Sequence, residues 1–152
     1  MRMIFSRFKY LIVISILCFL DQYSKIYISL NINKLINKDL FILTIEYIRN
    51  YGAAFNILSG SRLFLSLISI ISTIILMYLI FIREDKRINK YGLSFIVAGS
   101  IGNGVDRIFY GYVIDFIKIK FVDFPVFNIA DIAINIGILA VSYTHLTLPT
   151  NC

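Results

Sequence analysis

Residues 63–82 read LFLSLISIISTIILMYLIFI, twenty consecutive positions without a charged side chain. About 20 apolar residues carry a helix across the hydrocarbon core of a bilayer, so this stretch reads as a membrane span. The rest of the chain has the same character. Of 152 residues, 59% are hydrophobic and only 16% charged, with a mean hydropathy of +0.81. Soluble domains average about 45–50% apolar and about 25% charged residues, and a globule of this size lacks the interior to hide the excess. A bilayer is therefore the expected solvent. Intrinsic disorder, a disulfide-stapled secreted domain and an ordinary cytosolic enzyme are excluded together.

Three further apolar stretches flank this one. The first follows Arg2, Arg7 and Lys9, runs uncharged from Tyr10 to Leu20, meets Asp21 and continues more weakly to Leu30. A basic start and an apolar core also suit a signal peptide, but no small-x-small cleavage site follows. Leu17 precedes Cys18 where a lipid-attachment box would place a small residue, so a retained span is expected. The third stretch, Tyr91 to Val105, contains Gly92, Gly99 and Gly102, small residues that permit close helix contact in membranes. The fourth runs from about Phe124 to Val141, interrupted by Asn128, Asp131 and Asn135. The spans are thus expected at about 9–29, 63–82, 91–107 and 125–141, in one integral-membrane domain over residues 1–141.

Charge sets the orientation. Residues 83–90 hold four basic residues in eight, and the N-terminus adds three more. By the positive-inside rule both face the cytoplasm, with residues 22–62 and 106–124 outside and the C-terminus back inside. The net charge of +6 collects at the ends of apolar runs and forms no basic, aromatic-interleaved patch, which argues against a nucleic-acid partner. Within the first outer loop, Asp39 to Ile48 is rich in β-branched and aromatic residues and ends at the turn-like Asn50-Tyr51-Gly52. With Ile57 and Leu58 it reads as short strands of a small sheet outside the bilayer. Residues 142–152 change character abruptly, resemble translated adapter sequence and are read as a non-native tail.

Cys18, Cys152 and His145 offer no metal-ligand spacing and no disulfide framework, so neither metal nor cofactor is expected. Chemistry is sought instead among the nine acids, because an acid within a span marks a functional site by default. Glu84, Asp85, Asp39, Glu46 and Asp123 read as solvated. Asp21, Asp106, Asp115 and Asp131 all fall near the outer ends of spans. Asn128, Asp131 and Asn135 share one helical face, and Asn103, Asp106 and Arg107 another. For Asp106 a structural ion pair is as good a reading as a functional one, and Asp21 with Lys25 at i, i+4 reads as an acid–base pair. Asp115 and Asp131 sit among apolar neighbours. Brought together, two such carboxylates would divide into one protonated and one ionised group, as general acid–base hydrolysis requires. Spacing alone does not bring them together.

Asp21-Gln22-Tyr23-Ser24-Lys25, Asn50-Tyr51-Gly52-Ala53-Ala54-Phe55, Gly102-Asn103-Gly104-Val105-Asp106-Arg107, Gly111-Tyr112-Val113-Ile114-Asp115-Phe116 and Phe127-Asn128-Ile129-Ala130-Asp131 resemble, in order, the five motif blocks of bacterial lipoprotein signal peptidase (signal peptidase II). The resemblance implies an all-α membrane fold of four transmembrane helices with a small extracytoplasmic β-sheet cradle. It implies an aspartic endopeptidase of the bacterial inner membrane, acting as a monomer without cofactor on diacylglyceryl-prolipoproteins. Such an enzyme cleaves just before the lipidated cysteine, among membrane lipid, and is blocked by globomycin-like cyclic peptides. The catalytic pair would be Asp115 and Asp131. Asp21, Lys25, Asn50, Gly52, Asn103, Asp106, Arg107 and Asn128 match positions that support the site and substrate. Ser100 departs from the pattern where a second glycine is usual. The rival class, from the acids alone, is a small transporter or proton-relay component. A relay would prefer acids at several depths, whereas these four collect on one side.

Overall fold

A computed structural model describes residues 2–53, 58–82 and 87–146, with side chains placed for 7–53, 58–82 and 89–144. The elements in chain order are α1 (Arg2–Leu30), α2 (Ile32–Leu35), β1 (Asp39–Leu40), β2 (Leu43–Asn50), α3 (Arg62–Ile82), α4 (Arg87–Phe109), β3 (Val113–Ile119) and α5 (Ile129–Leu146). Two helices are long and apolar enough to cross a membrane, Arg7–Leu30 and Arg62–Ile82, and Ile129–Thr144 is a shorter apolar helix. The exposed face of α3 is itself apolar, with Leu67, Ile71, Ile74 and Ile75 turned outward. That outward apolarity is the reverse of a water-soluble helix and matches a lipid solvent.

Helix α4 is the centre of the bundle and packs on α1, α3 and α5. It can do so because its small residues let other backbones close in. A Cβ on Gly99 would stand 2.3 Å from the Ala130 carbonyl oxygen of α5, and one on Gly137 would stand 2.5 Å from the carbonyl oxygen of Gly92. The small-residue contact read from Gly92, Gly99 and Gly102 is thus where α4 meets α5 and α1. Tyr10, Ile14, Ile80, Leu93, Val97 and Ala98 form the buried cluster at one end of the bundle.

At the other end lies a three-stranded antiparallel sheet in the order β1-β2-β3. Ile28 of α1 packs against Ile114 and Phe116 of β3 and seats the sheet on the helices. Two expectations are corrected here. The third strand of the sheet is Val113–Ile119; of the segment expected as a strand near Ile57 and Leu58, Leu58 lies in a turn with φ 59°, and Ile57, like Ala54 and Phe55, is outside the described residues. Asp115 therefore stands on a strand rather than at the end of a span. Helix α5 also begins at Ile129 rather than near residue 125, because Phe127 pairs with Ile117 of β3 and holds the chain extended past Pro125. The helix continues to Leu146, into the expected tail, where the Thr144 hydroxyl bonds Asn89. Residues 83–86 of the basic loop, and 147–152, lie outside the described residues.

Gly99→Ala should therefore cost about 1–3 kcal/mol through overpacking, read as a lower unfolding temperature in micelles. Ser100→Ala, one position further along α4, should stay within about 0.5 kcal/mol.

Candidate active site

The site is assembled where α1, α4, the sheet and the start of α5 meet. On α1, Asp21 and Lys25 lie one turn apart and both are 1% exposed. The Lys25 ammonium contacts Asp21 Oδ2 at 2.8 Å, Asp106 Oδ2 of α4 at 2.8 Å, and donates to Asn103 Oδ1 at 3.0 Å. Two carboxylates against one ammonium leave an excess negative charge, and neutral donors spread it. Gln22 Nε2 donates to Asp106 Oδ1 at 2.9 Å, and the Ala130 amide of α5 donates to Asp21 Oδ1 at 2.9 Å. The ion-pair reading of Asp21, Lys25 and Asp106 holds. The part of Gln22 was not foreseen, although it stands inside the first motif block.

The start of α5 supplies the next layer. Asn128 precedes the first helical residue, and its Oδ1 accepts from the Asp131 amide at 3.0 Å while Asp131 Oδ2 accepts from the Asn128 amide at 3.1 Å. This reciprocal arrangement is a capping box. The Asn128–Asp131 spacing, read from sequence as a shared helical face, is thus a helix cap. It leaves Asp131 Oδ1 to accept from Asn103 Nδ2 at 2.8 Å, and Asn128 Nδ2 to donate to Asp115 Oδ1 at 2.7 Å. Asn135 turns away and bonds only the Asp131 carbonyl among the contacts described.

Asp115 is presented by β3. A bulge between Ile45 and Ile48 shifts the β2–β3 register, after which Asn50 opposes Val113. Asn50 and Asp115 then lie diagonally on one face, and Asn50 Nδ2 donates to Asp115 Oδ2 at 2.9 Å. Asn50 Oδ1 in turn accepts from the Gly52 amide at 2.9 Å, and Arg107 Nη2 donates to the Gly52 carbonyl at 2.8 Å. Burial pushes the Asp115 carboxyl up to about 6; its Asn50 bond opposes the rise and the nearby Asp131 charge adds to it. All ten sequence-derived positions are therefore in one connected network.

Arg62 was missed from sequence. Its guanidinium donates to the Arg107 and Ile108 carbonyls at the end of α4, satisfying acceptors that a helix terminus leaves open. Gly111, at φ 82°, then reverses the chain into β3. Position 62 lies outside every motif block, and only the fold brings it to Arg107.

The ion cluster should be asymmetric to substitution. Lys25→Met leaves two buried carboxylates unpaired and should cost about 3–5 kcal/mol. Asp106→Asn keeps the Asp21–Lys25 pair and a Gln22 acceptor and should cost about 2 kcal/mol. Chemical denaturation in mixed micelles gives the order; a Lys25→Met protein as stable as Asp106→Asn contradicts it.

The comparisons agree with this architecture. The family described as signal peptidase (SPase) II matches residues 13–147. The lipoprotein signal peptidase of Enterococcus faecalis is 36% identical over 135 residues, covering 87% of this chain and 84% of the relative. That of Caldicellulosiruptor bescii is 46% identical over 105 residues, covering 69% and 68%. A bacterial membrane enzyme solved by the in meso method at 2.3 Å resolution superimposes with a TM-score of 0.85 at 31% identity, over 94% of this chain and 90% of that one. A second, solved at 1.9 Å, gives 0.80 at 32% over 91% and 93%. None of these relatives supports the transporter or proton-relay alternative. With its family match over most of its length and these relatives, the chain belongs to the signal peptidase II family, the aspartic peptidases of lipoprotein maturation.

Proposed function

We propose that Asp115 and Asp131 are the catalytic dyad with which this membrane peptidase removes the signal peptide of a diacylglyceryl-prolipoprotein. The observation that carries the reading is the Asn128 side chain, which bonds the Asp115 carboxylate directly and caps the helix turn holding Asp131. One residue thus fixes two acids from different elements. Asp115 is 3% exposed, with its carboxyl raised to about 6, and is suited to hold the shared proton. Asp131 is more open and is suited to act as base.

Hydrolysis then balances without a metal or a nucleophilic side chain. Asp131 takes a proton from water as the water oxygen attacks the scissile carbonyl carbon, and Asp115 gives its proton to the carbonyl oxygen. Collapse of the tetrahedral intermediate breaks the C–N bond before the lipidated cysteine. Asp131 passes its proton to the leaving amine, and Asp115 recovers one from the intermediate's hydroxyl. Asn50, Asn103 and Asn128 hold the carboxylates, Asp21, Lys25 and Asp106 hold Asn103, and Arg107 fixes Gly52 next to Asn50. The substrate is an extended peptide held beside the two carboxylates, and a globomycin-like cyclic peptide would compete with it.

Asp115→Asn and Asp131→Asn should each lower turnover of a lipidated prolipoprotein peptide by about 10³-fold or more, with the double variant little worse. Inhibitor binding should persist. Substantial turnover by either folded variant removes that residue from the mechanism. Because Asp115 must carry the proton, kcat/KM of the free enzyme should fall as pH rises past about 6. The Asn50 bond favours the ionised form, so Asn50→Ala should move that alkaline limb upward.

In the four-span reading, α4 and α5 cross the bilayer beside α1 and α3, with the dyad on the extracytoplasmic side and both termini in the cytoplasm of the inner-membrane face. Accessibility labelling tests it. Asn37→Cys should react with an impermeant reagent from outside, and Asn89→Cys should be protected; the opposite pattern inverts the orientation.

A further inference from the structure

We propose that the β1–β2 hairpin tip and the segment after β3 form one apolar wedge that inserts into the lipid headgroup region beside the bundle. Leu40 pairs with Leu43, so Phe41 and Ile42 are the two turn residues. The Lys120 amide donates to the Ile42 carbonyl at 3.1 Å, which sets Phe121 and Val122 next to the tip. Phe41 is 92% exposed and Phe121 79%, and Leu40, Ile42, Val122 and Phe124 are exposed with them. Large contiguous apolar patches on a protein surface mark an interaction site.

The turn geometry sharpens the point. Phe41 has φ 54°, a conformation that hairpin turns normally give to glycine, asparagine or aspartate. A bulky side chain held there is a backbone outlier of the kind that accumulates at functional positions. Nothing within the described fold covers this ring, so its local strain brings no packing gain inside the chain.

The occupant is a lipid surface, for two reasons. Along the chain the patch follows directly from α1, a helix long and apolar enough to cross a membrane, by way of the exposed apolar residues Tyr23, Tyr27, Leu30 and Ile36. It is also bordered by exposed Lys34 and Lys38; Asp39 beside them is paired with Lys120 at 2.8 Å, and exposed Asp123 stands between Val122 and Phe124. Aromatic and aliphatic tips flanked by tyrosine and lysine suit the boundary between acyl chains and anionic headgroups. The wedge would hold the sheet, and with it Asn50 and Asp115, at the depth where a lipid-modified cysteine lies.

The chain contains no tryptophan, so Phe41→Trp and Phe121→Trp each introduce a single tryptophan, excited selectively over the tyrosines, into the full-length protein. In bilayer discs of phosphatidylcholine and phosphatidylglycerol, both should emit at a blue-shifted wavelength. Emission should fall about twofold when lipids brominated near the headgroup replace ordinary ones, as for a ring at the interface. Water-like emission without quenching overturns the proposal. So does blue-shifted emission without quenching, which would place the ring against a protein, a second copy of this chain included. The inference rests on the membrane placement of α1 and α3 and not on the dyad. Leu67→Trp, on the outward face of α3, separates the two: if it is quenched and the tip positions are not, the membrane placement stands and the wedge falls.

Discussion

A buried ammonium between two buried carboxylates is the constraint on which the rest of this molecule depends. Lys25, Asp21 and Asp106 are each 1% exposed. An ion removed from water is tolerated only when its partners are in place and its remaining hydrogen-bonding capacity is met. Sliding or rotating α4 against α1 would leave at least one charge unpaired. The cluster therefore sets the height and azimuth of both helices. Asp21 reaches further, through the Ala130 amide, and ties the first turn of α5 to the same point. Gly102 of α4 makes this possible, since a Cβ there would stand 2.5 Å from Asp21 Oδ2.

Reactivity is built on that anchor by neutral groups. Asn103 accepts from Lys25 and donates to Asp131, and Asn128 donates to Asp115 while closing the α5 cap. Asparagine suits the task because one side chain both accepts and donates without adding charge. Charged residues in these places would shift the protonation of the proposed dyad. The acids nearest the proposed chemistry are thus kept one layer away from the structural ion cluster, with amides between.

The sheet does something the helices cannot. A carboxylate on a helix crossing the bilayer would be fixed at one depth along a rigid rod. Asp115 instead sits on β3, whose alignment with β2 is shifted by a bulge and whose outer end pairs with the entry to α5. Bulges bend a strand and redirect its side chains. Here the bend lets Asn50 and Asn128 approach the same carboxyl from opposite elements.

Much of this was legible beforehand. The uncharged run at 63–82 is α3, the break at Asp21 falls within one long helix, and the glycines of the third stretch mark its close contacts. Lys25 beside Asp21 announced an ion pair, and the resemblance to five motif blocks named ten positions of the polar network, though not the parts of Gln22 and Arg62. The spans, the close-contact glycines and the ion pair are local or depend only on composition, and helical periodicity or hydropathy reports them directly; the site positions came from the family resemblance. What the sequence could not decide is which distant elements meet. The third strand, the role of Arg62 at the end of α4, and the double duty of Asn128 as cap and bridge arise from contacts between residues far apart in the chain. Strand pairing and helix packing are settled by which arrangement leaves no buried charge or backbone group unpaired, and that is a property of the whole fold rather than of any one segment.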